Sequence, residues 1–251
     1  MKNMNNKKLL TRIFSFTLLL CSFTSTTFAS PSIAAPRPNI GKAENLQIIR
    51  EIMPNLDKNT LVVFDVDDTL IRKKKEQGYP SISNGADLIH DTTPQLIRDL
   101  QEKEVKVIAL THNLSEKETM NWLDSTQGEI MPFYQFRFRQ LAQEKIGIDF
   151  SGAFPNIEHT YLSISTAFST CFHISRHPCF YKGIIFTNTI SKGIVLSAFL
   201  DQFGSNLNLI IFIDDQLPQN IAVAKSLEKM GYTANNPERR YFCLHYIAAQ
   251  H

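Results

Sequence analysis

The chain has 251 residues, of which 43% are hydrophobic and 20% are charged, and its formal net charge is +2. This composition is typical of a globular protein. It excludes a disordered chain and, with only 10 Gly and 11 Pro, a collagen-like one. No apolar run reaches the ~18 residues of a membrane-spanning helix, which excludes a multi-span membrane protein.

The first 29 residues have the pattern of a secretory signal peptide. Four basic and no acidic residues lie in the first twelve, an apolar run follows at Ile13–Phe23, and a Ser/Thr-rich stretch ends at Ala29. A lipoprotein signal at Cys21 is disfavoured because Leu20 before it is not small. We therefore expect an exported protein, periplasmic or secreted, that is cleaved after Ala29. Loss of the four basic residues changes the net charge from +2 to −2, which removes the electrostatic argument for nucleic-acid binding.

Beyond the leader, residues 30–40 contain three prolines and predict an extended lead-in. Short β-branched apolar runs then alternate with helix-like patterns and predict buried parallel strands separated by helices. This alternation predicts an α/β fold with a doubly wound parallel sheet. Helices are predicted over Glu44–Met53, Pro94–Lys103, Ser115–Ser125, Lys192–Phe203 and Pro218–Met230, and strands over Thr60–Phe64, Val105–Leu110, Gly183–Phe186, Leu209–Ile213 and Tyr241–Tyr246.

The stretch Met131–Pro178 breaks this alternation and is too long for a connecting loop, so it predicts a small inserted cap. Within it, Arg137 and Arg139 alternate with Phe136 and Phe138, which indicates a cap strand with one basic face. We interpret that face as solvated rather than as a contact to a phosphorylated substrate. The predicted organisation is a signal peptide at 1–29, a lead-in at 30–40, an α/β core at 41–130 and 181–251, and a cap at 131–180.

Polar residues follow four of the predicted strands. The segment Asp65–Thr69 (DVDDT) follows the first strand, Thr111 ends the second, Lys192 opens the helix after the third, and Asp214 and Asp215 end the fourth. Because ligands of open α/β sheets bind at the carboxyl ends of the strands, we expect these side chains to line one crevice.

The residue types in this crevice suit phosphoryl transfer. An aspartate is ionised at neutral pH and can attack phosphorus without a base. A hard divalent cation held by carboxylates, together with a lysine, offsets the repulsion between that aspartate and the phosphate. A second carboxyl group two residues further on can protonate the leaving oxygen and later accept a proton from water.

These motifs resemble the haloacid dehalogenase superfamily of phosphohydrolases. The segment Phe64–Leu70 (FDVDDTL) resembles its first motif, and Thr111, Lys192 and Asp214-Asp215 resemble the second, third and fourth in the family's order. The predicted cap lies between the second and third motifs, and the resemblance covers roughly Leu61–Met230. Four shorter segments resemble an exported bacterial family of unknown function with the same fold: GIDF at 147–150, YKGI at 181–184, IFIDD at 211–215 and LHY at 244–246.

The resemblance implies a role for each motif residue. Asp65 is expected to be the nucleophile and a ligand of Mg²⁺. Asp67 is expected to be the general acid and base, with its carbonyl oxygen on the metal. Its presence favours phosphatases, which need this acid, over dehalogenases, which do not.

Thr111 and Lys192 are expected to bind the phosphoryl oxygens, and Asp214 is expected to bind Mg²⁺. Asp215 has two alternative roles, metal support through water or positioning of the following loop. Lys182 is a rival of Lys192, but it precedes its strand and is expected at the wrong end of the sheet.

The predicted cap also contains Cys171 and Cys179 in one short loop. In an oxidising compartment the pair favours a disulfide, while a zinc site with His173 and His177 stays open as the alternative. Cys243 lies inside a predicted strand and is expected to be a buried thiol.

Together these observations predict an exported Mg²⁺-dependent phosphomonoesterase that acts on a small phosphorylated substrate. No nucleic-acid partner and no membrane anchor after signal cleavage are expected, and the oligomeric state stays open. The alternative is a secreted binding or effector protein of the same fold with little activity. A decayed enzyme commonly loses the nucleophile or the metal aspartate, and both Asp65 and Asp214 are present here.

Overall fold

A computed structural model describes residues 39–73, 85–114, 131–164, 177–233 and 235–247. All of them belong to one unit, Arg37–His251. The predicted signal peptide, nearly all of the lead-in and the predicted helix Ser115–Ser125 lie outside the described residues.

The described segments contain ten strands and five α-helices. Most predicted elements are present within a few residues of the expected bounds. The strands are β1 (Ile40–Ala43), β2 (Thr60–Phe64), β3 (Ile71–Lys73), β4 (Ala86–Leu88), β5 (Lys106–Thr111), β6 (His159–Tyr161), β7 (Cys179–Tyr181), β8 (Ile184–Phe186), β9 (Leu209–Asp214) and β10 (Arg240–Tyr246). The helices are α1 (Gln47–Ile52), α2 (Thr93–Glu102), α3 (Phe133–Ala142), α4 (Lys192–Phe203) and α5 (Leu217–Lys229), and short 3-10 turns lie at Met53–Asn55 and Ser151–Ala153.

Eight of these strands form one sheet in the order β1-β10-β9-β2-β5-β8-β7-β6. The first six strands in this order run parallel, while β7 and β6 are antiparallel additions at one edge. The sequence prediction of an α/β fold with a mostly parallel sheet is therefore confirmed. Strands β3 and β4 form a separate antiparallel pair.

The central strands are buried on both faces, which explains their unbroken apolar sequences. On β2, Val62 and Phe64 face a core that contains α1, α2 and α3, whereas Leu61 and Val63 face a second core with α4 and α5. No helix among the described segments is long and apolar enough to cross a bilayer.

The segment predicted as a cap is built differently from that expectation. Its strand β6 pairs with β7, and β7 pairs with β8, so both strands extend the edge of the main sheet. The physical reason is burial: Cys179 and Phe180 of β7 are fully buried against the core, and pairing satisfies their backbone groups. The same segment also contributes helix α3, which packs against the first core through Phe133 and Phe136.

Candidate functional site

Two buried aspartates lie side by side at the carboxyl ends of the neighbouring parallel strands β2 and β9. Asp65 directly follows β2, and Asp214 is the last residue of β9. The backbone N–H of Asp65 donates to the carbonyl oxygen of Ile213 at 2.8 Å, which continues the ladder between the strands. Asp65 is 5% exposed and Asp214 is 0% exposed, so both carboxylates lie in the protein interior.

Lys192 joins these two carboxylates. It is the first residue of α4 and is buried, and its Nζ donates to Asp214 Oδ2 at 2.6 Å and to Asp65 Oδ1. Burial lowers the pKa of Lys192, but the carboxylates of Asp65 and Asp214 raise it by more, so the net pKa is above its usual range. The ammonium therefore stays charged between the two carboxylates.

The neighbouring glycine fixes where Lys192 lies. A Cβ on Gly193 would lie 2.5 Å from the Ser226 hydroxyl and would also collide with the Ala222 backbone of α5. Only glycine lets the start of α4 approach α5 this closely. The loop before α4 is also conformationally unusual, because the non-glycine residues Asn188 and Thr189 have φ values of 51° and 71°.

Burial raises the pKa of the Asp65 carboxyl above its usual range, and although Lys192 opposes this effect, Asp214 adds to it. With both carboxylates ionised, two negative charges would face one ammonium, and an unbalanced buried charge of this kind is unfavourable, which is why the pKa of Asp65 is raised. A further cation at this place would remove the imbalance.

Asp215 completes a group of carboxylates that fits a hard cation. One carboxylate oxygen from each of Asp65, Asp214 and Asp215 lies within 4.8 Å of the others. Oδ1 of Asp215 is buried and has no hydrogen-bond partner among the described residues, and burial together with Asp214 raises the pKa of Asp215 to about 6. Hard divalent cations prefer such oxygen donors, so the residues present fit Mg²⁺. Metal binding by Asp65 and Asp214, the metal-supporting role of Asp215 and the use of the Asp67 carbonyl as a ligand all stay predictions.

A tight turn directly after β2 helps to position Asp215. The backbone N–H groups of Leu70 and Ile71 both donate to the carbonyl oxygen of Val66, and Asp68 in the turn has φ of 63°. The N–H of Asp215 donates to the Thr69 hydroxyl at 3.2 Å, which ties this turn to the end of β9.

The Asp67 side chain is held by donors from two other parts of the chain. Asn113 Nδ2 donates to Asp67 Oδ2 at 2.6 Å and to the Thr111 hydroxyl at 2.9 Å. Arg137 NH2 lies 3.1 Å from Asp67 Oδ1 and 3.4 Å from Oδ2. A quarter of the Asp67 side chain stays exposed, whereas that of Arg137 is 1% exposed. The carboxylate is therefore fixed in orientation while one part of it remains accessible.

Thr111 and His112 occupy the end of β5. Thr111 is buried and accepts the hydrogen bond from Asn113, while His112 is exposed and its Nδ1 lies 3.3 Å from the Thr187 hydroxyl. Partial desolvation of the ring and the nearby charge of Lys192 lower the pKa of His112.

The structure places Lys182 far from Lys192. Lys182 lies in the turn between β7 and β8, where its Nζ is 3.3 Å from Glu158 Oε1. This turn is at the amino end of β8, and Lys192 follows the carboxyl end of that strand.

The prediction of a solvated basic strand around Arg137 is wrong. The segment is helix α3, and Arg137 lies on its buried face, with NH1 donating to Gln140 Oε1 at 2.8 Å. Five buried residues share that face at helical spacing: Phe133, Phe136, Arg137, Gln140 and Leu141. Two of these five residues are polar, so the helical spacing of the apolar ones is harder to recognise in the sequence than the Phe/Arg alternation.

Sequence reasoning gave no role to three residues at this site, Asn113, Arg137 and Asn220. Asn220 is fully buried on α5, and its Nδ2 donates to the carbonyl oxygens of Asp214 at 3.0 Å and Gln216 at 3.2 Å. A sequence signal existed for Asn113, which follows Thr111 by two residues at a strand end. No local signal identified Arg137, because its contact depends on how a distant segment folds.

Cys171 and His173, on which the disulfide and zinc predictions depend, lie outside the described residues. Cys179 is buried in β7 and His177 is exposed. Cys243 is a buried thiol on β10, as predicted, and burial raises its pKa.

Comparison with known proteins identifies a family but no activity. A family model described as a protein of unknown function, DUF2608, matches residues 83–249. An uncharacterised protein of Rickettsia felis is 24% identical over 177 residues, which are 70% of this chain and 51% of the relative. An uncharacterised protein of Rickettsia conorii is 20% identical over 190 residues, which are 76% of this chain and 56% of the relative. The chain thus spans about half the length of these relatives. The family match includes Thr111, Arg137, Lys192 and Asp214 but begins after Asp65 and Asp67.

Proposed function

We propose that this chain, which belongs to the DUF2608 family of proteins of unknown function, is an exported Mg²⁺-dependent phosphatase. In this proposal it hydrolyses a small phosphomonoester through an aspartyl-phosphate on Asp65. Its core is a doubly wound sheet of the haloacid dehalogenase type, as the order of the four motifs along the chain suggests.

The observation that carries the proposal is the bridge from the Lys192 ammonium to the carboxylates of Asp65 and Asp214. The three residues come from different elements and meet at the carboxyl end of the sheet, where open α/β sheets bind their ligands. A buried ion pair is weak support for stability alone, because the desolvation of its charges offsets much of the attraction. A group with this excess of carboxylates is better explained by a bound cation.

In the first step, a carboxylate oxygen of Asp65 attacks phosphorus while the bond from phosphorus to the ester oxygen breaks. Asp67 gives its proton to the leaving oxygen, so the alcohol departs neutral. The Lys192 ammonium and the Thr111 hydroxyl donate to the phosphoryl oxygens on which charge accumulates. Asp65, Asp214 and Asp215 would hold Mg²⁺, which would supply further positive charge there when bound.

In the second step, Asp67 accepts a proton from a water molecule that attacks phosphorus of the aspartyl-phosphate. The bond between phosphorus and the Asp65 oxygen breaks, inorganic phosphate leaves, and both aspartates return to their starting state. The exposed part of Asp67 gives that water access to the carboxylate.

The first experiment measures phosphate release from a panel of phosphomonoesters by purified protein, with and without Mg²⁺. Wild type should turn over at least one ester only with the metal, and Asp65→Asn should abolish turnover because the attacking anion is gone. Asp201→Asn, at an exposed position of α4, is the control and should keep full activity. A panel without turnover, or full activity of Asp65→Asn, would refute the proposal.

Two further variants separate the roles of the other aspartates. Asp67→Asn should lose about 10²–10⁴-fold in kcat, the range of general acid–base catalysis, and less for esters with good leaving groups. Asp214→Asn should weaken metal binding, so part of its activity should return at high Mg²⁺. Equal losses for both classes of ester in Asp67→Asn would contradict its role as the acid.

Export is the remaining part of the proposal and depends on the pattern of residues 1–29. N-terminal sequencing of protein recovered outside the cytoplasm should begin at Ser30 or within a few residues of it. An intact Met1 on that material would show that the leader is not cleaved.

A further inference from the structure

We propose that Arg137 is a positioning residue for Asp67, so that helix α3 completes the candidate site. The inference builds on the proposed phosphatase function and assigns a role in it to the segment between the second and third motifs.

The first observation is the geometry around the Asp67 carboxylate. Arg137 NH2 lies closest to Oδ1, and Asn113 Nδ2 donates to Oδ2. Donors on both oxygens fix the plane of the carboxylate, which a single donor would leave free to rotate. Charged hydrogen bonds of this kind are among the stronger ones in proteins.

The second observation is that Arg137 is itself held in place. Its NH1 donates to Gln140 one turn along the same helix, and its guanidinium carbon lies 5.2 Å from the centre of the Phe133 ring. Phe133 in turn packs edge-on against Phe186 of β8 at 6.3 Å between ring centres. A rigid path of contacts therefore connects the core of the sheet to the Asp67 carboxylate.

The third observation is the difference in exposure between the two partners. Arg137 is almost completely buried, whereas a quarter of the Asp67 side chain is exposed. The arginine therefore acts on a substrate through Asp67 rather than by contact. Proton transfer requires Asp67 within hydrogen-bond reach of the leaving oxygen, and a misplacement of about 1 Å can cost on the order of 10²-fold in rate.

The test is a double-mutant cycle measured with two esters, an alkyl phosphate and a nitrophenyl phosphate. Arg137→Met should lower kcat for the alkyl ester by up to about 10²-fold, and much less for the nitrophenyl ester, which needs little protonation. KM should stay unchanged for both. In an Asp67→Asn background, Arg137→Met should cause no further loss of kcat, because the residue it positions is already disabled.

The matched control is Arg139→Met, the same substitution at an exposed position of the same helix, and it should leave both rates unchanged. If Arg137→Met does not fold, Arg137→Lys keeps a cation at this position. That variant should show a smaller loss with the same dependence on the leaving group.

Equal losses for both esters, or an undiminished loss in the Asp67→Asn background, would refute the positioning role and leave Arg137 as a structural residue. Those results leave the proposed function standing, provided that Asp65→Asn is inactive. A wild-type protein without turnover would refute the proposed function and this inference together.

Discussion

The two aspartates of the first motif lie only two residues apart, yet different parts of the molecule hold them. On the strand-end side (Asp65, Lys192, Asp214), one buried ammonium bridges two buried carboxylates at the end of the parallel sheet. On the helix side (Asp67, Asn113, Arg137), a partly exposed carboxylate receives hydrogen bonds from a loop and from a helix outside the sheet. Stability and activity should therefore depend, on the strand-end side, most on the charge of Lys192 and on the space left by Gly193. On the helix side they should depend most on aromatic packing.

The largest effect is expected from Lys192→Met. It leaves two buried carboxylates without their cation, and loss of one partner from a buried ion pair typically costs about 3–5 kcal/mol. The free energy of unfolding from denaturant titration should fall by this amount, and the proposed phosphatase activity should disappear. Lys182→Met is the matched control, because its partly exposed pair with Glu158 should be worth less than about 1 kcal/mol. Similar losses of stability in the two variants would contradict the inference that the buried ion pairs of Lys192 contribute more than the partly exposed pair of Lys182.

A second test on the same side changes the close packing of α4 against α5 rather than a charge. Gly193→Ala forces a Cβ against Ser226 and the Ala222 backbone, and overpacking of this kind costs about 1–3 kcal/mol. Thermal unfolding should show the loss, and displacement of Lys192 should lower activity. Gly152→Ala is the control, since nothing lies within 4 Å of its Cβ position. Its stability should be unchanged or slightly higher.

On the helix side, Phe133→Leu keeps most of the apolar surface but removes ring contacts with Phe136, Phe186 and Arg137. Contacts of this kind are worth about 0.5–1.5 kcal/mol each when lost completely, and because the leucine side chain replaces part of all three, the free energy of unfolding should fall by about 1–2 kcal/mol. Activity toward alkyl phosphates should fall more than activity toward nitrophenyl phosphate. Phe138→Leu, half-buried on the same helix, should lower stability less and leave that activity ratio unchanged.

The smallest effect, and the only stabilising one, is expected in the loop that leads to Lys192. Thr189 is exposed and β-branched, yet it has φ of 71°, a conformation that costs on the order of 1–2 kcal/mol. Glycine removes that strain but adds about 0.5–1 kcal/mol of unfolded-state entropy, so Thr189→Gly should raise stability by less than about 1 kcal/mol. Thr160→Gly in β6 should lower it instead. A less stable Thr189→Gly variant would mean that the strain is smaller than the entropy cost together with the loss of the hydrogen bond from the Thr189 hydroxyl to the carbonyl oxygen of Asn188.

The sequence predicted the parallel part of the sheet well, for a physical reason. Strands buried on both faces, such as β2 and β9, must be apolar throughout, so a run such as LIIFI is recognisable without any partner. Strands β1, β3, β4, β6 and β7 were not predicted. Each has only three or four residues, which is too short for an apolar run or an alternation to be recognised.

The candidate site was predictable to the extent that strand ends define it. Asp65, Asp214 and Lys192 follow recognisable strands or open a recognisable helix, so topology alone brings them together. Arg137 was misplaced because the strand-like alternation of FRFR outweighed the helical spacing of Phe133, Phe136 and Leu141. Burial of a charged residue on a helix becomes interpretable only once its partner, Asp67, is known.

The pairing of β1 with β10 has a consequence for the time course of folding. These are the first and last strands of the described chain, and Ile40 lies opposite Cys243 in the parallel ladder. A contact between such distant segments forms slowly, because closing the large loop costs entropy before any contact repays it. A chain that emerges from a ribosome or a translocation channel cannot complete this edge until β10 has followed. Pulse-labelled hydrogen exchange during refolding should find the amides of Gly41–Ala43 protected together with β10 and after β2 and β5. Earlier protection of those amides would mean that the edge forms before the centre, and the sheet would then grow inward.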